Sequence, residues 1–252
     1  MTAARGAGRL DRIDILRSLA MLWMTVYHFC YDLDHFGLID ASFSRDPFWY
    51  VQRTAIVGLF VFTAGLSQAV AHHAGLGWPR FWRRWAQVAA GALLVTAGSA
   101  LMFPDSFIYF GILHGMAAML VVARLTAGWG GWLWPLGALA IAAKFAAPAV
   151  ITAWPTLAWL NQPGWNTLGF VSRLPVTQDY VPLLPWLGAM WWGLAAGHWA
   201  LRHRPQWLGA ADAPATGPRR ALATWGRWSL SYYLVHQPVL IGLVGGAVWL
   251  FR

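Results

Sequence analysis

Apolar residues follow one another in long segments along this chain, and short polar stretches separate those segments. A helix that crosses the hydrocarbon core of a bilayer needs about 20 mostly apolar residues. Segments of roughly that length occur at residues 13–33, 51–71, 86–103, 107–124, 130–149, 182–201 and 228–250. The pattern predicts an all-α fold, a polytopic bundle of about seven transmembrane helices that forms a single domain over residues 1–252.

Two segments between the predicted spans need a separate interpretation. Residues 151–160 (ITAWPTLAWL) are apolar, but this segment is too short to span a bilayer and carries Pro155. We expect an interfacial or re-entrant piece there, with an eighth span as the open alternative. Residues Gly209–Pro218 (GAADAPATGP) are rich in small residues and proline, and they predict a flexible connection before the last helix.

The Lys and Arg residues are unevenly distributed over the segments between the predicted spans. With the N-terminus placed in the cytoplasm, twelve of the 18 fall on the inner side and three on the outer side. Cytoplasmic loops of membrane proteins carry such an excess of positive charge. The sequence therefore predicts a cytoplasmic N-terminus, and the net charge of +9 needs no nucleic-acid partner to explain it. The inner set is Arg5, Arg9, Arg12, Arg80, Arg83, Arg84, Arg124, Arg202, Arg204, Arg219, Arg220 and Arg227, and the outer set is Arg45, Arg173 and Arg252.

The composition agrees with a protein whose surface faces lipid. Hydrophobic residues make up 58% of the chain and charged residues only 11%, whereas a soluble domain carries about 25% charged residues. The chain has 19 Trp and 26 Gly, and both residue types are typical of membrane proteins. The first apolar segment is longer than the core of a signal peptide and no small-residue cleavage site follows it. We therefore expect a multi-pass membrane protein that contacts membrane lipids and retains its first helix.

The first predicted helix carries ionisable side chains on one side of an otherwise apolar segment. Helical geometry brings Arg17 and His28 within about 20° of each other around the helix and about 16 Å apart along it. Asp14 precedes Arg17 by three residues and Asp32 follows His28 by four, so all of them share one side. Ionisable groups inside a bilayer are costly and usually mark a functional site. The alternative is helix packing, with Arg17 reaching the inner head groups.

Further polar residues occur in the other predicted spans. His114 lies in the fourth, Arg53 at the start of the second, and Ser229, Tyr232 and His236 share one face of the last. Each of them alone is typical of a hydrogen bond between helices. Histidine works as a general base near neutral pH, so histidines in three predicted spans together favour catalysis. A metal site is the weaker interpretation, because no His/Asp spacing resembles a zinc site, and neither a phosphate loop nor a GxSxG elbow is present.

Four stretches of this sequence resemble a family of membrane enzymes. An Arg-x10-His pair on a first helix that opens with IDILR is similar to the transmembrane acyltransferases. The closer resemblance is to the bacterial branch of the heparan-alpha-glucosaminide N-acetyltransferase catalytic-domain family, and it runs through most of the chain. One departure is Ser18, where the family often has glycine. The stretches are RIDILRSLAMLWMTVYHFCYDL at 12–33, LFVFTAGLS at 59–67, FIYFGILHGMA at 107–117 and SYYLVHQPV at 231–239.

The resemblance implies acyl transfer from acyl-coenzyme A to an amine or hydroxyl of a sugar-like acceptor. Acetyl-CoA is the expected co-substrate, no cofactor is permanently bound, and the expected location is a bacterial inner or plasma membrane. On this resemblance, Arg17 matches the arginine that holds the donor, and His28 matches the catalytic histidine.

Side-chain chemistry adds roles within this hypothesis. A thioester is already activated, so the remaining barrier lies in generating a nucleophile and stabilising the oxyanion. We expect His28 to remove a proton from the acceptor while Asp32 orients it, with a covalent acetyl-histidine as the open alternative. We expect Arg17 to bind the donor together with Asp14 and Arg53. The residues expected to bind the acceptor or the oxyanion are His114, Tyr232 and His236.

Two other classes of protein remain open from the sequence. A transporter or flippase for a polar small molecule also needs ionisable residues inside the membrane, although no internal repeat is visible. A non-catalytic scaffold predicts that neutral substitutions of Arg17 and His28 are tolerated. A chemical assay distinguishes an acyltransferase from a transporter, because an acyltransferase releases free thiol from acyl-CoA, whereas a transporter moves an unmodified solute.

Overall fold

A computed structural model describes residues 10–43, 45–209 and 216–251 of the chain. Over these residues the fold is all-α: no strand forms, and one isolated bridge joins Phe110 to Tyr180. Each of the predicted segments contains one long helix, which confirms the helical pattern, and one further helix was not predicted. The helices are α1 Asp11–His35, α2 Pro47–His73, α3 Trp78–Met102, α4 Ile112–Leu125, α5 Leu133–Ala153, α6 Leu183–His203, α7 Gly217–Arg227 and α8 Ser229–Phe251.

Among the described residues, 4 helices are long and apolar enough to cross a membrane: α2, α3, α5 with the 3-10 turns before it (Ala127–Ala153), and α8. Large apolar side chains stand exposed on them, such as Leu101 at 88% and Trp249 at 82%. Such surfaces need lipid to cover them, so the chain is a multi-pass membrane protein. Helix α4 is apolar but has only 14 residues, about 21 Å at 1.5 Å per residue. The predicted count of seven spans stays a prediction.

Two helices begin elsewhere than the apolar pattern predicts. Residues 107–111 are not helical, because their backbone pairs with a later segment: Thr177 Oγ1 donates to the carbonyl of Phe107 at 2.7 Å. Helix α3 begins at Trp78 and so includes the basic residues that the pattern placed in a loop. Pro79 in its first turn explains this start, since proline is pre-organised for that position.

The segment 151–160 does not form an eighth long helix. Helix α5 continues through Pro148 to Ala153, and residues Pro155–Asn161 form a short 3-10 helix. Seven residues at about 2 Å each give about 14 Å, which is far less than a bilayer core.

Helix α7 was missed because eleven residues containing three arginines do not form an apolar run. It begins at Gly217, within the predicted connection Gly209–Pro218, of which residues 210–215 lie outside the described residues. The same holds for Arg5, Arg9 and Arg252, which contributed to the prediction of orientation.

The described chain divides into two compact units. Unit 1 takes the described residues up to Phe60 and from Pro205 onwards, and it contains α1, the first half of α2, α7 and α8. Unit 2 covers Val61–Arg204 and contains the rest of α2 and helices α3 to α6. The prediction of one functional domain over the whole chain stays a prediction.

In unit 1, α7 packs against the N-terminal half of α1. The buried Ser18 hydroxyl donates to the Leu222 carbonyl at 2.5 Å, and Arg227 pairs with Asp11 at 3.2 Å. Gly226 lies so close to the backbone carbonyl of Asp14 that a Cβ atom would overlap it. The Ser18 hydroxyl therefore serves the docking of α7.

In unit 2, small residues bring α6 close to the second half of α2. A Cβ atom on Gly65 would overlap the Met190 carbonyl, and one on Gly193 would overlap the Phe62 carbonyl. Close backbone approach at small residues is a common way for membrane helices to associate.

Candidate active site

The imidazoles of His28 on α1 and His236 on α8 form a hydrogen-bonded pair in unit 1. Nδ1 of His28 lies 2.7 Å from Nε2 of His236, and the two ring planes are nearly parallel, at 19°, with their centroids 5.0 Å apart. His236 is buried, whereas His28 is partly exposed. The sequence predicted both histidines as site residues, but not that they contact each other.

His236 is held by groups of its own helix and of α1. Its Nδ1 lies 2.6 Å from the Tyr233 carbonyl oxygen, and the Tyr232 ring stacks on it at 5.8 Å. The Tyr232 hydroxyl in turn lies 2.7 Å from Thr25 Oγ1. Because Thr25 donates to the Met21 carbonyl at 2.7 Å, the tyrosine is the donor to Thr25. Sequence analysis missed Thr25, since one threonine on an apolar helix gives no signal.

Asp32 does not hydrogen-bond to His28, contrary to the expectation that it orients this histidine. Its Oδ1 accepts from Gln237 Nε2 at 2.7 Å, and its Oδ2 is buried without a hydrogen-bond partner in the described structure. The hydrogen-bond partner of His28 is His236 instead, and the predicted catalytic role of Asp32 stays a prediction. Gln237 was also missed, although it directly follows a predicted site residue.

The contacts between α1 and α8 follow one another in the same order along both helices. The two helices therefore run parallel. The contacting pairs are Thr25 with Tyr232, His28 with His236, and Asp32 with Gln237.

A second polar group lies towards the N-terminal end of α1. Arg17 Nη1 is 2.7 Å from Asp14 Oδ1, and Arg227 Nε of α7 is 3.7 Å from Asp14 Oδ2. The Asp14 side chain is only 4% exposed and the Arg17 side chain 19% exposed. One buried carboxylate thus lies between two guanidinium groups, and Arg227 adds a cation that the sequence analysis did not assign to the site.

Arg53 belongs to the surroundings of His28. It lies close enough to His28 for an electrostatic interaction between the two side chains. Its neighbour Gln52 accepts a hydrogen bond from Trp23 Nε1 at 2.8 Å, which ties the start of α2 to α1. The structure therefore places Arg53 near the histidine pair, whereas Arg17 is eleven residues away from His28 along α1.

His114 belongs to unit 2 and has different neighbours. Its Nε2 lies 3.0 Å from Thr96 Oγ1, which donates to the Ile108 carbonyl at 2.8 Å, so His114 donates to the threonine. Its Nδ1 is buried and has no hydrogen-bond partner among the described residues. The predicted role of His114 in acceptor binding stays a prediction.

A half-buried tyrosine, Tyr180, lies in the segment between α5 and α6 of unit 2. The Tyr180 hydroxyl donates to the backbone carbonyl of Asn166 at 2.5 Å. Burial raises the pKa of Tyr180 because it disfavours the phenolate. The phenol therefore stays protonated and keeps this hydrogen bond at neutral pH.

Comparison with known proteins identifies the family. The family model of the heparan-alpha-glucosaminide N-acetyltransferase catalytic domain matches residues 9–238, which include His28 and His236. No curated protein and no solved structure matches the chain. The bacterial branch stays a prediction. Because the matched range covers most of the sequence, the resemblance to the family is confirmed, and the chain belongs to the heparan-alpha-glucosaminide N-acetyltransferase catalytic family, a family of membrane acetyltransferases.

Proposed function

We propose that the protein transfers an acetyl group from acetyl-CoA to an amine or hydroxyl of a sugar-like acceptor, with His28 as the catalytic base. The observation that carries the proposal is the His28–His236 pair, which supplies a partly exposed imidazole held in a fixed orientation by a buried one. Family membership supports the acetyl transfer, and imidazole suits proton removal near neutral pH.

The chemistry needs few groups from the protein. His28 takes the proton from the acceptor as the nitrogen or oxygen of the acceptor attacks the thioester carbonyl. Collapse of the tetrahedral intermediate breaks the carbon–sulfur bond, and the leaving thiolate takes the proton from His28. Arg53, which interacts electrostatically with His28, supplies the positive charge that stabilises the oxyanion in this proposal. A covalent acetyl-histidine at His28 is the alternative route to the same products.

We infer that α1 to α6 and α8 provide seven spans and that the N-terminus is cytoplasmic, in a bacterial inner membrane. The parallel contacts of α1 and α8 support this topology, because parallel first and last spans require an odd number of crossings. The described arginines support the orientation, since α7 and the segments on its side of the membrane hold most of them.

The donor lies along α1 in this proposal. Arg17 and Arg227, near the inner surface, bind the donor phosphates, and the Asp14 carboxylate lies between their two guanidinium groups. The helix separates Arg17 from His28 by about 16 Å, a distance that an extended pantetheine arm can bridge. The thioester would then reach His28 and Arg53, so that Arg53 would contact the acyl carbonyl oxygen.

A transporter remains the alternative function. It uses intramembrane ionisable residues equally well, and it predicts that solute crosses the membrane without release of thiol. Family membership favours the acetyltransferase.

The test uses the purified full chain in detergent with acetyl-CoA and glucosamine as the acceptor probe. Donor binding should raise the thermal unfolding midpoint with concentration, and transfer should release free CoA thiol. We expect Arg17→Ala to lose donor stabilisation, and His28→Ala to keep it while losing thiol release. A folded protein that neither binds acetyl-CoA nor releases thiol with any amino sugar, but moves solute in proteoliposomes, would refute the proposal.

A further inference from the structure

We infer that His236 is a positioning residue that fixes His28 in one tautomer, with Nε2 of His28 as the atom that removes the proton. This inference rests on the proposed function. It replaces the expected role of His236 in acceptor binding with a role that acts through His28.

The first step concerns the proton on His236. Its Nδ1 lies 2.6 Å from the Tyr233 carbonyl oxygen, and a carbonyl oxygen can only accept a hydrogen bond. Nδ1 of His236 therefore carries a hydrogen. A neutral imidazole has one N–H group, so Nε2 of His236 presents a lone pair.

The second step concerns the proton on His28. Its Nδ1 lies 2.7 Å from that lone pair, so it has to donate. The opposite tautomer would bring two lone pairs together and lose the hydrogen bond. The single hydrogen of neutral His28 is thus on Nδ1, and the lone pair of the ring is on Nε2.

The third step concerns what happens when His28 takes a proton. The new proton binds Nε2, and the Nδ1–H bond to His236 is kept. A hydrogen bond from a charged donor is stronger than one from a neutral donor, so His236 favours the imidazolium that forms during transfer. A buried carboxylate has this role in the Ser-His-Asp triad, whereas His236 fulfils it without a permanent negative charge inside the membrane.

The orientation of His236 exists before any substrate binds. Its ring plane is nearly parallel to those of Tyr232 and His28, at interplanar angles of 12° and 19°. The side chain that could compete for His28, Asp32, is bonded to Gln237 instead. His236 can therefore hold the tautomer without a contribution from the acceptor.

The experiment compares His236→Gln with His236→Leu in the full chain. A glutamine oxygen can replace Nε2 of His236 as an acceptor, and leucine cannot. We expect His236→Leu to lower kcat about 10²- to 10³-fold, within the range of general-base effects, with the acceptor KM changed less than about threefold. We expect His236→Gln to recover kcat to within about tenfold of the wild type. His203→Leu, the same substitution at an exposed histidine in the last turn of α6, is the matched control and should leave kcat unchanged.

A second readout is the ¹⁵N spectrum of protein labelled at its histidines. The signals of His28 are assigned as those that are missing from the spectrum of His28→Gln. The wild type should show the proton on Nδ1 of His28, and His236→Leu should abolish that preference. Unchanged kcat in His236→Leu, a raised acceptor KM at constant kcat, or a wild-type proton on Nε2 would each overturn the inference. If the wild type transfers no acetyl group, the proposed function fails, and the spectrum alone decides the tautomer. If His236→Leu does not fold, His236→Gln and the wild-type spectrum decide it.

Discussion

Nδ1 of His28 lies 2.7 Å from Nε2 of His236, and this contact joins the first and last helices of the described chain. A neutral imidazole costs less free energy to bury at this place than a carboxylate. It accepts a hydrogen bond as a carboxylate does, but it adds no charge that the membrane would penalise. We therefore expect His236 to orient the base, whereas Asp32 joins α1 to α8 through its hydrogen bond with Gln237.

Substitution of Asp32 tests this separation directly. In Asp32→Asn the amide oxygen can still accept from Gln237, so we expect kcat to fall less than about tenfold, below the usual general-base range. Gln237→Leu leaves the buried carboxylate without its donor, and we expect a loss of about 1–3 kcal/mol in stability. Thiol release and the thermal midpoint measure the two effects. A fall in kcat of more than about 100-fold in a folded Asp32→Asn protein would restore the direct catalytic role.

Much of the architecture follows from the sequence, because long apolar runs have few alternatives to membrane helices. The site was only partly predictable. Periodicity placed His28 and Asp32 on one side of α1, but it cannot reveal which helix faces that side. The sequence therefore predicted a contact between His28 and Asp32, one turn further along α1. In the structure the partners lie on α8: His236 is bonded to His28, and Gln237 is bonded to Asp32. Helix α7 carries too many arginines for an apolar pattern to find it.

Gly226 tests the docking of α7 on α1. A Cβ atom there would overlap the Asp14 carbonyl, so we expect Gly226→Ala to lower stability by about 1–3 kcal/mol through overpacking. Gly246→Ala on α8 is the matched control, since nothing lies within 4 Å of its Cβ position. Alanine also favours a helix over glycine by up to about 1 kcal/mol, so the control midpoint should stay or rise. Equal midpoints for the two variants in detergent would show that α7 does not dock this closely.

Ser18 tests the same interface through a hydrogen bond. Ser18→Ala removes the donor to the Leu222 carbonyl, and we expect a loss of about 1 kcal/mol. Thr152→Ala is the control, because the exposed Thr152 hydroxyl donates only to Pro148 of its own helix. We expect the control to change stability by less than about 0.5 kcal/mol. A Ser18→Ala midpoint equal to that of the control would mean that the bond to α7 contributes nothing measurable.

We expect Asp14 to limit how strongly Arg17 binds a donor phosphate. Its buried carboxylate lies 2.7 Å from Arg17 and 3.7 Å from Arg227, so it competes with any incoming anion for both cations. Asp14→Asn keeps a hydrogen-bond acceptor for Arg17 but removes the negative charge. We therefore expect acetyl-CoA to bind a few-fold more tightly to this variant. The measurement is the rise of the thermal midpoint with acetyl-CoA concentration.

The salt dependence of that measurement identifies the cause. If the tighter binding of acetyl-CoA to Asp14→Asn is electrostatic, the gain in affinity should shrink as salt is added. Salt screens the phosphate charges, and the Debye length falls from about 10 Å at 0.1 M to about 3 Å at 1 M. Arg17→Lys is the companion variant, because it keeps the charge but loses the planar fork that grips phosphate with two bonds. We expect it to bind more weakly than the wild type and more strongly than Arg17→Ala. Weaker donor binding in Asp14→Asn than in the wild type, at every salt concentration, would mean that the carboxylate holds Arg17 in place for the donor. The predicted competition between Asp14 and the donor phosphates would then be refuted.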